Sequence, residues 1–231
     1  MPDIRGLLFD KDGTLFDFQG TWGGWAADLV YEFAEGDSGR ADTLAARIRL
    51  DRARRRFFPD SPMIAGTVDD AVALLLPGAP HLDRSTIQRR IEESSQNLMA
   101  VEAVPLTGLT ARLRSSGQVL GVATNDMESV AVAQLATIGV LEAFDFVVGA
   151  DSGHGAKPAP GQCLAFAAHV DLPVETVAMI GDSTHDLHAG RAAGMSTVAV
   201  LTGVADEHEL APYADVVLPD IGHLPRWLGL E

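Results

Sequence analysis

Four short segments of this chain carry polar groups able to act together, and each follows an apolar run. "LLFDKDGTLFD" sets Asp10 and Asp12 two residues apart, "VATND" offers Thr124, Asn125 and Asp126, "GHGAKPAP" offers Lys157, and "MIGDSTHD" offers Asp182 and Asp186. Each segment alone has an ordinary explanation: Asp and Gly favour turns, Asp caps helices, and a loop lysine is normally solvated. The same pattern at four successive strand ends is harder to explain that way. If the strands lie parallel, the four tips meet at one edge, and clustered carboxylates about 4 Å apart repel by roughly 4 kcal/mol at an effective dielectric near 20. Asp10, Asp12, Asp182 and Asp186 then need a cation. An oxygen-only ligand set favours a hard ion, and Mg²⁺ suits one or two carboxylates, retained waters and a substrate phosphate. Lys157 supplies the remaining fixed positive charge.

The elements that must position these groups are legible as alternation. Strands are expected at Ile4 to Phe9, Val119 to Ala123, Phe144 to Val148, Val177 to Ile180, Thr197 to Val200 and Val216 to Leu218. Helical patterns lie between them near Ser129 to Ile138, Gly161 to His169 and His185 to Ala193. This order predicts an α/β fold with a parallel sheet covered by helices, whose ligands sit beyond the carboxyl ends of the strands. From about Phe18 to Ala100 the alternation stops, and no good strand is visible. Helices are expected there at Trp22 to Ala34, Ala41 to Phe57, Val68 to Leu76 and Arg84 to Met99, between Gly and Pro breakers. The predicted organisation is a core of residues 1–17 and 101–231, interrupted by a helical unit of residues 18–100.

Composition narrows the function. The chain has 231 residues, 47% of them apolar, enough for a sizeable core. Its formal net charge of −15 repels phosphodiester backbones and anionic lipid surfaces, so neither nucleic acid nor membrane is expected as a partner. A single cysteine, Cys163, excludes an intrachain disulfide framework and a Cys-based zinc site. No apolar run approaches transmembrane length, and the first residues lack a basic segment followed by an apolar stretch and a cleavage site. A cytoplasmic protein is expected.

In order, "DKDGTLFD", "ATND", "KPAP" and "GDSTHD" resemble the four signature motifs of the haloacid dehalogenase superfamily. The layout is similar to its phosphoglycolate phosphatase-like branch, and the helical insertion is similar to the cap of many members. The resemblance implies a Rossmann-like core and a Mg²⁺-dependent phosphatase acting on a small phosphorylated metabolite. It implies Asp10 as a nucleophile that becomes an aspartyl phosphate and Asp12 as the general acid and base. The Asp10 carboxylate, the Asp12 backbone carbonyl and Asp182 would hold the metal. Thr124, the Asn125 backbone N–H and Lys157 would hold the phosphoryl group. Asp186 would bind the metal through water or orient Lys157, and Gly13 would permit the tight turn after the acid.

A phosphomutase of the β-phosphoglucomutase type shares these motifs. A catalytically silent phosphoaspartate module is disfavoured because the acidic pair follows the first strand and a large insertion intervenes. Dehalogenation does not need the acid Asp12, and phosphonate cleavage in related enzymes uses a cap lysine, whereas this chain has only Lys11 and Lys157. "GHGAKP" lacks the Gly before Lys and the Ser or Thr after it that a P-loop requires. His185 and His188 have no third soft ligand nearby, and Cys163 reads as a packed thiol. "RIRLDRARRRFF" reads as a solvated helix face. Gly20, Gly23 and Gly24 around Trp22 are expected to allow hinge closure. Alternation along the first motif sends Lys11 away from its acidic neighbours.

Overall fold

The computed structural model describes residues 3–230, which fall into two compact units: the residues through Asp17 with those from Glu102 on, and Phe18–Val101. In the first unit, strand β1 (Gly6–Phe9) is buried along its whole length, as a central parallel strand covered on both faces must be.

The second unit is mainly helical. It contains α1 (Phe18–Phe33), α2 (Ser38–Arg47), a hairpin of β2 (Leu50–Asp51) and β3 (Arg56–Phe57), α3 (Val68–Leu75) and α4 (Arg84–Ser95). Asp37 and Asp83 cap α2 and α4, and Thr67 and Asp70 form a capping box on α3, so these helices start where polar residues satisfy their first N–H groups. The helix expected over Ala41 to Phe57 is corrected here: it ends at Arg47. Beyond it, Asp51 accepts the Arg54 N–H at 2.9 Å, a local bond that competes with helix continuation, and Arg49 and Arg55 take positive φ values of 53° and 54°. The arginine-rich segment therefore lies largely on a hairpin with Leu50 and Phe57 buried, and not around a helix. Gly20, Gly23 and Gly24 fall inside α1, past the boundary between the units. A Cβ on Gly23 would sit 2.1 Å from the Arg55 carbonyl oxygen, which gives that glycine a packing reason.

Back in the first unit, α5 (Leu106–Ser115), absent from the expected helices, leads into β4 (Val119–Ala123), α6 (Glu128–Ile138) and β5 (Phe146–Val148). The chain continues through α7 (Gly161–His169), β6 (Val177–Gly181), α8 (Thr184–Ala193) and β7 (Ser196–Val200) to short α9 (Glu207–Leu210), β8 (Val216–Leu218) and short α10 (Leu224–Trp227). The six strands form one parallel sheet in the order β5-β4-β1-β6-β7-β8. The order runs outward from β1 in both directions. The loops after β1, β4 and β6 consequently leave neighbouring carboxyl ends where the topology switches, the usual ligand position in such sheets. Among the described residues, no helix is long and apolar enough to cross a membrane.

Candidate active site

The turn after β1 is built on backbone bonds: Leu15 and Phe16 N–H groups both donate to the Lys11 carbonyl, and Gly13 N–H donates to that of Phe16. Gly13 has φ +87°, and a Cβ there would lie 2.2 Å from Asp182 Oδ2. Both its backbone conformation and the approach of a second carboxylate require glycine at this position. Thr202 closes the turn from the β7 side, donating its hydroxyl to the Gly13 carbonyl at 2.6 Å.

Asp10 emerges at the end of β1 and is buried. Lys157, from the loop before α7, donates to Asp10 Oδ1 at 2.5 Å, to Asp186 Oδ1 at 2.6 Å and to the Ala123 carbonyl at 2.8 Å, which satisfies all three of its N–H donors. The Asn125 side chain fixes the backbone of that lysine, accepting its N–H at 2.8 Å and donating to its carbonyl at 2.9 Å. Asp186 also serves its own helix. Its Oδ2 accepts from the N–H and hydroxyl of Ser183, completing the capping box that starts α8. Thr124 is buried, and its hydroxyl oxygen accepts the Asp126 N–H at 3.1 Å.

Ligand-type oxygens of Asp10, Asp182 and Asp186 all lie within 4.8 Å of one another, and two of these three buried carboxylates, Asp10 and Asp186, bind the Lys157 ammonium. Burial pushes the Asp10 carboxyl up to about 7, with repulsion from Asp186 and Asp12 adding and the pull of Lys157 opposing. Asp182 is also raised well above the ordinary carboxylate value, by burial first and then by Asp10 and Asp186. These shifts are those of carboxylates with too little positive charge nearby. Three carboxylates against one ammonium leave two negative charges, the balance that a divalent cation meets. The donor set is all oxygen, which suits a hard ion. Both Asp186 oxygens are already engaged, so Asp10 and Asp182 are the carboxylates best suited to such an ion. A Cβ on Gly203 would lie 1.7 Å from Asp182 Oδ2, so that glycine, too, keeps room for this carboxylate.

Lys11 does not point away from the acidic turn, a correction to the alternation argument. Its fully buried ammonium lies 2.7 Å from Asp12 Oδ2, 3.0 Å from Asp126 Oδ2 and 2.7 Å from Gln134 Oε1. Burial alone would lower its pKa, but Asp12 and Asp126 outweigh burial and hold it above the ordinary lysine value. Sequence offers Asp126 only as a polar neighbour of Asn125 after an apolar run, with no role attached, and Gln134, Thr202 and Gly203 carry no local signal for the site. Elsewhere, Cys163 is buried, and burial pushes its thiol up to about 12, away from thiolate chemistry. His188 packs against the Tyr213 ring with centroids 4.5 Å apart.

A parallel sheet switching direction beside β1, with buried carboxylates and a lysine at its carboxyl edge, defines a doubly wound α/β enzyme. The family model described as "haloacid dehalogenase-like hydrolase" matches residues 4–194, and the chain belongs to that family of hydrolases. "Probable phosphatase IndB" of Dickeya dadantii (strain 3937) is 34% identical over 214 residues, spanning 93% of this chain and 88% of that protein. The phosphoglycolate phosphatase of Escherichia coli (strain K12) is 27% identical over 99% of this chain and 94% of its own. CbbY from Rhodobacter sphaeroides, solved in complex with phosphate, superposes with a TM-score of 0.71 over 96% of each chain at 22% identity, a likeness of fold.

Proposed function

We propose that this chain is a Mg²⁺-dependent phosphatase that hydrolyses a small phosphate monoester through an aspartyl phosphate on Asp10. The observation that carries this reading is the buried group of Asp10, Asp182 and Asp186 at the carboxyl edge of the sheet, with Lys157 bound to Asp10 and Asp186. The names of the relatives from Dickeya dadantii and Escherichia coli agree with it.

Lys157 holds Asp10 Oδ1, which directs Oδ2 of the same carboxylate toward phosphorus. As Oδ2 bonds to phosphorus, the bond to the leaving oxygen breaks, and Asp12 gives that oxygen a proton. Asp12, now a carboxylate, takes a proton from water, and the water oxygen attacks the aspartyl phosphate. Inorganic phosphate leaves and the Asp10 carboxylate is restored. Such proton transfers are typically worth about 10²- to 10⁴-fold in rate. Because the Thr124 oxygen already accepts the Asp126 N–H, its hydroxyl hydrogen is directed to a phosphoryl oxygen, where the Asn125 backbone N–H and Lys157 also contribute. Asp10, Asp182 and the Asp12 backbone carbonyl would hold Mg²⁺, which supplies charge neutralisation at the phosphoryl oxygens when bound. Asp186 keeps Lys157 in place and is not itself a direct ligand.

The helical unit Phe18–Val101 acts as a cap that selects the substrate. Its insertion between the first motif and the rest of the sheet supports this, as does a charge balance that disfavours nucleic acid. The test is turnover of p-nitrophenyl phosphate and of a panel of phosphorylated metabolites that includes 2-phosphoglycolate. Release of inorganic phosphate with Mg²⁺, and its loss in EDTA, is expected. Equal turnover in EDTA, or sugar-phosphate isomerisation without phosphate release, would overturn the reading.

A further inference from the structure

The Lys11 ammonium is buried beside the acidic turn and meets acceptors from three elements. They are Asp12 in the turn, Asp126 in the loop after β4, and Gln134 on α6. A buried lysine is costly and exists only where its donors are met, and an apolar side chain of similar volume would pack at least as favourably. Packing alone therefore does not account for a lysine at this position. The partners themselves are tied down. Asp126 Oδ1 accepts the Met127 N–H at 2.8 Å, its backbone carbonyl accepts the Ala150 N–H at 2.9 Å, and its own N–H bonds to the Thr124 hydroxyl. Gln134 is buried within α6. The ammonium is thus held by groups that do not move easily, while Asp12 is a short side chain on a turn, partly open to solvent.

We infer that Lys11 is a positioning residue for Asp12. Asp126 and Gln134 fix the ammonium, and the ammonium fixes the Asp12 carboxyl group, which as the acid gives its proton to the leaving oxygen and as the carboxylate then takes one from water. The inference rests on the reading of Asp12 as the general acid and base. It gives Asp126, in the loop after β4, and Gln134, on α6, a share in the chemistry at one remove. The Asp126 N–H also links this network to Thr124, so the proton-transfer group and a phosphoryl donor are aligned by the same loop.

The readout is dependence on the leaving group. A poor leaving oxygen needs its proton in the transition state, whereas a good one departs without it. The constant kcat/KM, which reports phosphoryl transfer to the enzyme, is measured with Mg²⁺ on phenyl phosphate and on 2,4-dinitrophenyl phosphate. Lys11→Met is expected to lower kcat/KM on phenyl phosphate by about 10- to 100-fold more than on the dinitrophenyl ester. In an Asp12→Asn background the same change should add less than about a twofold effect, because the two residues act as a unit. Lys11→Met leaves two carboxylates without their ammonium and can unfold the protein. The double variant Lys11→Met/Asp126→Asn keeps the local charge and should show the same tilt. Equal slowing of both esters in a folded Lys11 variant would overturn the inference. If Asp12→Asn tilts toward good leaving groups and neither Lys11 variant does, the Lys11 role alone falls. If Asp12→Asn shows no tilt, the general-acid reading falls and takes the Lys11 role with it.

Discussion

In Phe18–Val101, arginines meet carboxylates at the surface: Arg55 with Asp28, Arg84 with Asp69, and Arg89 with Glu93, every partner at least half exposed. In the α/β unit both lysines of the chain are buried, each between two carboxylates. Exposed pairs contribute about 0.2–1 kcal/mol and tolerate rearrangement. Buried ions carry a desolvation cost that attraction offsets only with near-ideal partners, so they are weak evidence for stability and better evidence for a task. Lys157 and Lys11 divide that task, one beside the proposed nucleophile and the other beside the proposed acid.

The contrast can be broken by substitution. Lys157→Met should reduce kcat by about 10²- to 10³-fold through loss of charge stabilisation. It should also cost about 3–5 kcal/mol in chemical denaturation, since Asp10 and Asp186 lose their shared partner. A variant with wild-type kinetics would make this buried centre structural only.

A second prediction concerns pH. The Asp10 carboxyl is raised from 3.8 to about 7 in the folded protein, and Asp182 shifts in the same direction. Between those values the folded state binds more protons than the unfolded state, so stability falls as pH rises. In EDTA, Tm should decline from about pH 4 to about pH 7 through these groups, and Mg²⁺ should flatten the decline by favouring the ionised carboxylates. A Tm that rises across this window in EDTA, or that ignores Mg²⁺, would contradict the charge balance drawn for the site.

At the small end, Arg89→Ala should cost less than about 0.5 kcal/mol, because the pair with Glu93 is an exposed contact four residues apart on α4. A loss comparable to that of Lys157→Met would erase the distinction between the two units.

How much of this was visible in sequence differs between the units for a physical reason. In the sheet unit, β4, β8 and α7 begin and end where short apolar runs and breakers place them, since an apolar run needs only local residues to declare itself. The meeting of Asp10, Lys157, Asp182 and Asp186 follows from that framework. In the helical unit, the hairpin Leu50–Phe57 was hidden, since its turn depends on Asp51 side-chain bonds to Arg54 and on Arg55 in a left-handed conformation. The Lys11 network was hidden for a different reason. Alternation fixes the face a side chain leaves from, but Asp126 and Gln134, more than a hundred residues away, decide what it meets.

The nucleophile is tested most directly by stopping the reaction in acid during turnover of p-nitrophenyl phosphate with Mg²⁺ and mapping phosphate by peptide mass. A phosphate adduct on the peptide bearing Asp10, lost in a folded Asp10→Asn variant along with turnover, is the expected result. Continued turnover by Asp10→Asn, or an adduct on another residue, would contradict the role assigned to Asp10.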